Sequence, residues 1–417
     1  MQISKLSGAV EKRLLAARER RDVEAEKVAA KIIADVRRCG DAALSAWTQK
    51  LDGINLARHR MWISQREIEE AQENVSADFL RAVKHAMANV RKVAEKQLPR
   101  NWSIEVEPGV SIGQVVRPIE TIGCYIPGGK STLLSTLVMT AVPAQVAGAK
   151  RIVAVCSRPN NELLAAAGIL GVNEVARIGG AQAVAALAYG TKTIPRVDKI
   201  FGPGNRFVTA AKQLVSHDCA IDLPAGPTEA IVIAWRGNAR WIAADLLAQA
   251  EHAPDAASIF VTTSARLARE VRREVAEQLK KLPEANPASI SLKTCGAILL
   301  AASGDAAFHF VNRFAPEHLS LPQARAAALE KISAAGTVFI GPWAAQPLGD
   351  YASGSNHVLP TGGWARSRGG LSAADFVKCI SVQMIGRTGF RRLAGDVRVL
   401  ARAENLPAHE NAVAVRE

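Results

Sequence analysis

Apolar residues recur every three or four positions from about residue 5 to 98, which predicts amphipathic helices over most of that segment. The spacing is interrupted at LDGINLARHR (51–60), where we expect a break between helices. From VSIGQVVRPI (110–119) onward the pattern changes to strand-like alternation and short β-branched runs. These strands alternate with Ala-rich helical stretches and with turns such as GCYIPGGKS (123–131). The alternation predicts parallel α/β units.

A second α/β series follows, in which helical stretches separate five short apolar runs: EAIVIAW (229–235), SIFVTTS (258–264), GAILLAAS (296–303), HLSL (318–321) and TVFIG (337–341). After Gly341 the chain is rich in loop residues, and a short helical tail closes the sequence. The predicted fold class is α/β, with two Rossmann-like doubly wound domains, an N-terminal helical segment and a C-terminal helical tail.

Length and composition agree with a soluble protein of two or three domains. The chain has 417 residues, of which 48 % are hydrophobic and 22 % are charged. The most apolar stretch is interrupted by Pro143, so no run approaches the roughly 20 residues that span a bilayer. The first residues lack the apolar core and cleavage site of a signal peptide, and six widely spaced cysteines without a CxxC pair indicate reduced thiols. We therefore expect a cytoplasmic protein that does not bind membranes.

The formal net charge of +13 raises the question of a nucleic-acid partner. The basic residues are scattered, however, and the densest run, RLAREVRREVAEQLKKL (266–282), carries Glu at the spacing of a solvated helix face. Aromatic residues make up only 5 %, and no basic–aromatic stripe is available to stack bases. We expect no nucleic-acid binding; an anionic cofactor would suit the charge equally well.

The stretch LLAQAEHAPD (246–255) ends a predicted helix with groups that can bind a metal or a polar ligand. Asp245, Gln249 and His252 are spaced i, i+4 and i+7 and share one helix face. A solvent-facing stripe with a histidine favoured by the helix dipole is the alternative interpretation. We expect this helix to stop at the carboxyl-side layer of the sheet, where α/β folds bind ligands.

Three further segments carry candidate chemistry. FAPEHL (314–319) places Glu317 beside His318 after a proline turn, and GDYASGSNHVLPTGG (349–363) holds Asp350 and His357 in a polar loop. The tail AENLPAHENAV (403–413) adds Glu404 and His409. An ordinary turn or a frayed terminus would explain each segment alone. Together with the helix that ends near His252, however, the three segments hold four of the eight histidines, a pattern that favours a zinc site.

Phosphate-approach turns are indicated by IGGAQAVAALAYG (178–190) and FGPGN (201–205). No G-x-G-x-x-G follows a predicted strand, so the common dinucleotide fingerprint is absent.

Together the segments resemble the histidinol dehydrogenase family from about residue 20 to the last residue. The motifs that carry the resemblance are YIPGG, GGAQAVAAL, VDKIFGPGN, IDLPAGPTEAIVIA, DLLAQAEH, APEHL, GDYASGSNHVLPT and AHENAV, in this order. The resemblance implies NAD-dependent, four-electron oxidation of L-histidinol to L-histidine through an enzyme-held aldehyde, with one zinc ion per subunit, in the final steps of histidine biosynthesis.

The resemblance also implies a role for each matching residue. The catalytic acid–base pair would be Glu317 and His318. Zinc ligands would be Gln249, His252, Asp350 and His409. Substrate contacts would come from these four ligands and from Thr228, His318 and Glu404. NAD contacts would be Tyr125, Gln182 and Asn205. In many relatives the position of Thr228 is Ser, which keeps the hydroxyl.

Family members are homodimers in which the C-terminal tail completes the partner's site, so Glu404 and His409 would serve the other subunit. The resemblance divides the chain into four parts: an N-terminal arm (1–20), a discontinuous α/β domain (21–122 plus 229–369), an inserted nucleotide-binding domain (123–228) and the tail (370–417).

We expect His318 to take the hydroxyl proton and Glu317 to activate a water molecule for the second oxidation. Three alternatives have different sequence support. A paralogue acting on another polar alcohol, such as a sulfonated diol, is disfavoured by the tail residues. A non-enzymatic metal- or nucleic-acid-binding protein is disfavoured by retention of every expected catalytic residue. A zinc hydrolase using Glu317 is disfavoured by the absence of an HExxH pair.

Overall fold

A computed structural model describes residues 1–18, 22–56, 60–129, 132–224 and 226–417. In chain order the strands are β1 (Gln2–Lys5), β2 (Trp102–Glu107), β3 (Val110–Pro118), β4 (Thr121–Tyr125), β5 (Arg151–Val155), β6 (Glu174–Ala176), β7 (Lys199–Phe201), β8 (Ala220–Ile221), β9 (Glu229–Ile233), β10 (Ala257–Thr262), β11 (Ala297–Leu300), β12 (His318–Leu321), β13 (Thr337–Ile340) and β14 (Val377–Ile385).

The α-helices are α1 (Gly8–Ala16), α2 (Val23–Cys39), α3 (Asp41–Asp52), α4 (Gln65–Glu73), α5 (Ala77–Gln97), α6 (Leu134–Ala147), α7 (Asn161–Leu170), α8 (Gly180–Tyr189), α9 (Arg206–Val215), α10 (Ala239–Ala250), α11 (Ala265–Leu279), α12 (Ala288–Thr294), α13 (Gly304–Phe314), α14 (Gln346–Tyr351), α15 (Arg387–Ala403) and α16 (Pro407–Ala414). None of the helices in the described residues is both long and apolar enough to cross a membrane.

Two parallel sheets confirm the predicted α/β class. The six-stranded sheet has the order β1-β11-β10-β9-β12-β13, and the five-stranded sheet has the order β6-β5-β4-β7-β8. In each sheet the first strand of its α/β series, β9 or β4, lies inside, and the chain builds outward first on one side and then on the other. This reversal of strand order is the mark of a doubly wound fold.

Each parallel sheet is covered by hydrophobic cores on both faces, as the βαβ connections require. The N-terminal helices lie on the five-stranded sheet: Ala25, Ala29 and Ile32 of α2 join the core formed by α8 and α9. The division that groups residues 21–122 with 229–369 stays a prediction. The small side chains of α2 permit close packing against the Ala-rich α8, a match between distant segments that helical periodicity does not show.

Three strands were not expected from the pattern of apolar positions. The N-terminal arm starts with β1, which extends the six-stranded sheet by pairing with β11. Strand β2 pairs with β3, and the tail begins with the nine-residue strand β14 on the other side of β3. The tail is therefore α-helical only from α15 onward, after a short 3-10 helix (Ala373–Phe376) and β14. The three-stranded antiparallel sheet carries exposed apolar side chains, including Trp102, Ile104 and Met384.

Candidate active site

The predicted catalytic residues lie at the amino ends of the strands of the six-stranded sheet. Thr228 precedes β9, Glu317 precedes β12, and His318 is the first residue of β12. The expectation that the helix ending in Gln249 stops at the carboxyl side of this sheet is wrong. Helix α10 follows β9 and returns antiparallel to it, so its last turn reaches the edge where β10 begins.

A chain of hydrogen bonds joins the buried polar groups at this edge. The side chain of Gln346 donates to Gln249 Oε1 (2.6 Å), and Gln249 Nε2 donates to Thr228 Oγ1 (2.7 Å). Thr228 in turn donates to Glu317 Oε2, which also accepts from the backbone N–H of Glu229 (2.9 Å). Gln249 is completely buried, so its amide oxygen and nitrogen are fixed by these two partners. These hydrogen bonds explain why a helix that packs on the core carries the amide side chain of Gln249 in its last turn.

His318 lies between two carboxylates. Its Nδ1 is 3.7 Å from Glu317 Oε2, and its Nε2 is 3.7 Å from Asp350 Oδ1. The ring is 4 % exposed, and within the described part of the chain Nε2 has no hydrogen-bond partner. A buried, unpaired ring nitrogen beside a carboxylate is available to exchange a proton with a bound molecule.

The burial and the charges of this pair shift both pKa values. Burial raises the pKa of Glu317, and this effect is partly offset by His318 and by the hydrogen bonds from Thr228 and Glu229. Burial by itself would lower the pKa of His318, but Glu317 and Asp350 outweigh it, so that pKa is raised. Both shifts favour groups that hold or accept a proton near neutral pH.

Two of the predicted metal ligands approach the same edge as Gln249. His252 Nδ1 faces the backbone oxygens of Ala248 (3.0 Å) and Gln249 (3.2 Å). A proton on Nδ1 would satisfy these oxygens and leave Nε2 basic, the arrangement that orients metal-bound histidines. The backbone oxygen of Asp350 lies 2.9 Å from His357 Nδ1 within the predicted polar loop, and the Asp350 side chain joins this loop to His318.

The fourth predicted ligand, His409, is not brought to this edge within one chain. Glu404 and His409 are exposed on the tail, and neither is among the described residues that line the cleft. Helix α16 is held on α15 by ion pairs of Glu410 with Arg402 (2.6 Å) and Arg398 (3.5 Å). Over the described ranges, no group of three or more His, Cys, Asp or Glu side chains could hold a metal ion.

A cleft of about 940 Å³ separates this edge from the carboxyl ends of the five-stranded sheet. One wall includes Thr228, His252 and Glu317, and the other includes residues 202–206. The second wall follows β7, next to the point where the strand order reverses, which is where open α/β sheets bind nucleotides. Its turn requires glycine at Gly202, which has φ +115°, because a Cβ there would lie 2.1 Å from a backbone oxygen.

The three residues predicted to bind NAD occupy different positions. Asn205 lines the cleft and caps α9, accepting from the N–H groups of Phe207 and Val208 at 3.0 and 3.1 Å. Tyr125 and Gln182 are buried: the Tyr125 hydroxyl accepts from Gly180 N (3.1 Å), and Gln182 Nε2 donates to an Asp52 oxygen (2.9 Å). Only Asn205 of the three therefore faces the cleft in this arrangement.

Sequence reasoning missed a buried ion pair behind Glu317. Both carboxylate oxygens of Glu229 accept from Arg18, whose side chain is 9 % exposed. A charged residue at the start of the apolar run EAIVIAW is a signal that could have marked Glu229. No local signal marks Arg18, because its partner lies 211 positions away.

Comparison with known proteins identifies the family. A sequence profile described as histidinol dehydrogenase matches residues 15–417. The chain belongs to the histidinol dehydrogenase family. It is 47 % identical over 388 residues to histidinol dehydrogenase of Methanothermobacter thermautotrophicus (91 % of this chain, 90 % of that protein). It is 44 % identical over 394 residues to that of Vibrio vulnificus (93 % of this chain, 90 % of that protein).

A solved structure supports the same family. The crystal structure of histidinol dehydrogenase from Elizabethkingia anophelis matches this chain with a TM-score of 0.94 and 36 % identity, covering 100 % of this chain and 98 % of that one. Membership of the histidinol dehydrogenase family makes the chain an oxidoreductase and confirms the resemblance read from its motifs.

Asp245, on the face of α10 that also carries Gln249, allows a test of buried charge. Burial raises its pKa from 3.8 to about 6. Between about pH 4 and 6 the folded protein keeps a proton on Asp245 that the unfolded chain has lost. The free energy of unfolding therefore falls as pH rises through this range, and the full loss persists above about pH 7. We expect Asp245→Asn to unfold with a higher free energy than wild type at pH 8, by about 1–3 kcal/mol.

Urea unfolding at pH 4 and pH 8 measures this difference, which should nearly vanish at pH 4. Asp305→Asn is the matched control, since that carboxylate is exposed and its ion pair with Lys331 lowers its pKa instead of raising it. Equal stability of Asp245→Asn and wild type at both pH values would contradict the prediction.

Proposed function

We propose that the chain oxidises L-histidinol to L-histidine with two NAD molecules in succession, through a bound L-histidinaldehyde, in the final steps of histidine biosynthesis. The observation that carries the proposal is the buried Glu317–His318 pair at the cleft, linked through Thr228 to Gln249. Membership of the histidinol dehydrogenase family supports the substrate, since relatives that cover nine tenths of the chain carry that name.

His318 would act in the first oxidation. With its Nε2 unpaired and buried, it would accept the hydroxyl proton while the carbon loses a hydride to NAD. The imidazolium that forms would lie between Glu317 and Asp350, at 3.7 Å from each carboxylate. Two flanking negative charges stabilise that cation, which is the charge that develops as the proton moves.

Glu317 would act in the second oxidation, taking a proton from a water molecule that attacks the aldehyde. Its carboxylate is oriented by Thr228 and by the N–H of Glu229, which accounts for its fixed position against the cleft. Burial raises its pKa and thereby makes it a stronger base than an exposed glutamate. His318 would thus accept the proton in the first oxidation, and Glu317 would accept the proton in the second.

A zinc ion would fit this donor set if one further ligand were supplied. Gln249, His252 and Asp350 would hold it from one chain, and His409 of a second copy would complete four ligands. The backbone contacts of His252 Nδ1 support this fit, because they leave Nε2 as the free nitrogen. When bound, zinc would supply Lewis-acid polarisation of the substrate hydroxyl and lower its pKa.

NAD would bind along the opposite wall of the cleft. Asn205 and the amino end of α9 lie there, and helix amino ends favour the negative charge of a pyrophosphate. Tyr125 and Gln182 remain predicted contacts beneath the adjoining turn at Gly180. A basic chain of net charge +13 suits this anionic cofactor.

The enzyme would act as a homodimer in which each tail completes the other subunit's site. Two features support this assembly: Glu404 and His409 are exposed away from the cleft, and the adjoining tail carries exposed apolar residues such as Ile380, Met384 and Leu400. We place the enzyme in the cytoplasm, since all six cysteines are free thiols, as expected in a reducing compartment.

The first experiment is to count NADH formed per L-histidinol with zinc-loaded enzyme. Two NADH per histidinol would support the four-electron oxidation. A count of one would mean that the aldehyde leaves, which would contradict the second step. No NADH from histidinol, with turnover of another polar alcohol, would overturn the proposed substrate.

A further inference from the structure

Arg18 makes an unusually complete set of contacts for a residue outside the two sheets. Its Nε and one terminal nitrogen donate to the two carboxylate oxygens of Glu229, the second at 2.6 Å. The other terminal nitrogen donates to the backbone oxygen of Phe314, and the oxygen of Ala315 lies 3.4 Å from the guanidinium. The planar group stacks on the Phe314 ring at 3.7 Å. Only arginine offers this fork of donors together with a flat face.

These contacts fix the segment that leads to the catalytic pair. Phe314 is the last residue of α13, and Ala315 adopts the left-handed conformation (φ +50°), which is costly for a residue with a Cβ. Pro316 and Glu317 follow directly. By accepting from Arg18, the carbonyls of Phe314 and Ala315 hold the turn that places Glu317 at the cleft.

The same guanidinium fixes the other side of the pair through Glu229. The N–H of Glu229 donates to Glu317 Oε2 (2.9 Å), and its carbonyl oxygen lies 3.4 Å from His318 Nδ1. Both catalytic side chains therefore contact the main chain of Glu229. Arg18 anchors the side chain of Glu229 by two hydrogen bonds. The turn before Glu317 and the main chain of Glu229 therefore both depend on the Arg18 guanidinium.

We propose that Arg18 is a positioning residue that sets the geometry of Glu317 and His318, and this rests on the proposed roles of those two residues. Arg18 itself lines the cleft on the side of Glu317. It acts through Glu229 and through the turn at Ala315, and it takes no part in proton transfer.

The buried Glu229 carboxylate depends on Arg18 for its compensating positive charge. Burial raises the pKa of Glu229 to about 7 even though Arg18 opposes the shift. Without the guanidinium, a carboxylate that is 2 % exposed would lie close to the carboxylate of Glu317 with no cation to balance it. We expect the main chain at Glu229 to shift in response.

The test replaces Arg18 with methionine or lysine in the full-length enzyme. Misplacement of a catalytic group by about 1 Å costs on the order of 10²-fold in rate. We therefore expect Arg18→Met to lower kcat about 100-fold for both L-histidinol and L-histidinaldehyde, while the KM for NAD changes less than about threefold, since Asn205 and α9 are untouched. Arg18→Lys should recover little, because one ammonium cannot replace the fork.

Arg313→Met is the matched control. It removes a different ion pair of the N-terminal segment, that of Glu11 in α1 with Arg313 in α13 (3.2 Å), without touching Glu229. It should keep wild-type kcat within about twofold. In the Glu229→Gln background, Arg18→Met should cause much less than its full loss, because most of the effect passes through Glu229.

Two results would overturn the proposal: a folded Arg18→Met enzyme with kcat within threefold of wild type, or a loss of the same size from Arg313→Met. If wild type fails to oxidise histidinol, the proposed function fails, and a crystal structure of Arg18→Met still decides the role of Arg18. Loss of the 2.9 Å contact between Glu229 N and Glu317 Oε2 would support positioning, and its retention would reject it.

Discussion

Replacing His318 by alanine should lower the rate of L-histidinol oxidation by about 10²–10⁴-fold, the contribution of a positioned general base. The reason is that Nε2 of His318 is buried and unpaired within the described residues, next to the carboxylates of Glu317 and Asp350. The measurement is single-turnover NADH formation from histidinol between pH 6 and 10, with the zinc content of both proteins matched.

Glu317→Gln is the comparison that separates the two oxidations. It retains a hydrogen-bond acceptor for Thr228 and for the N–H of Glu229 but cannot take a proton from water. It should therefore spare aldehyde formation more than aldehyde oxidation. A loss of less than tenfold for His318→Ala at every pH would reject its role as the base. Equal losses of Glu317→Gln on the two substrates would reject water activation.

Mixing two inactive variants should restore activity if the tail serves the other subunit. His318→Ala damages the body of the site, and His409→Ala removes the proposed ligand from the tail. A mixed dimer would hold one site with both defects and one intact site, so random exchange should restore about a quarter of wild-type activity. The expected observation is a slow rise in activity after the two proteins are mixed, as subunits exchange.

The control mixes His318→Ala with Glu317→Gln. Both residues lie in the body of the site, so each site of a mixed dimer carries one defect, and mixing should give no gain over the activities of the separate variants. If His318→Ala and His409→Ala also fail to complement, while labelled subunits are seen to exchange, His409 does not act across the dimer.

The sequence predicted the fold class because two series of apolar runs separated by helical stretches are local patterns. The roles of Thr228, Gln249, Glu317 and Asp350 stay predictions from the family resemblance, and contacts through His318 link these four residues in the structure. The short strand β1 escaped prediction because four residues at a sheet edge show too little alternation. Strand β14 escaped because its pairing with β3 joins segments more than 200 residues apart.

The position of the site could not be read from the same patterns. A general preference for the carboxyl ends of parallel strands favoured the wrong edge of the six-stranded sheet. Contacts such as Arg18 with Glu229 depend on two distant segments meeting, and neither segment carries a periodic signal for the other. His409 would reach the site of a second copy only through assembly of two chains. The local spacing of residues along one chain carries no signal for that assembly.

The two walls of the cleft are supported by separate hydrophobic cores. The catalytic wall grows from the amino ends of one sheet, and the proposed nucleotide wall grows from the carboxyl ends of the other. Substitutions in β9 and β12 therefore act on the core that holds Leu319 and Phe314 and not on the core beneath α8 and α9. If the proposed NAD site is correct, selection could change which alcohol the enzyme accepts by substitutions in the catalytic wall, with the proposed nucleotide wall unchanged.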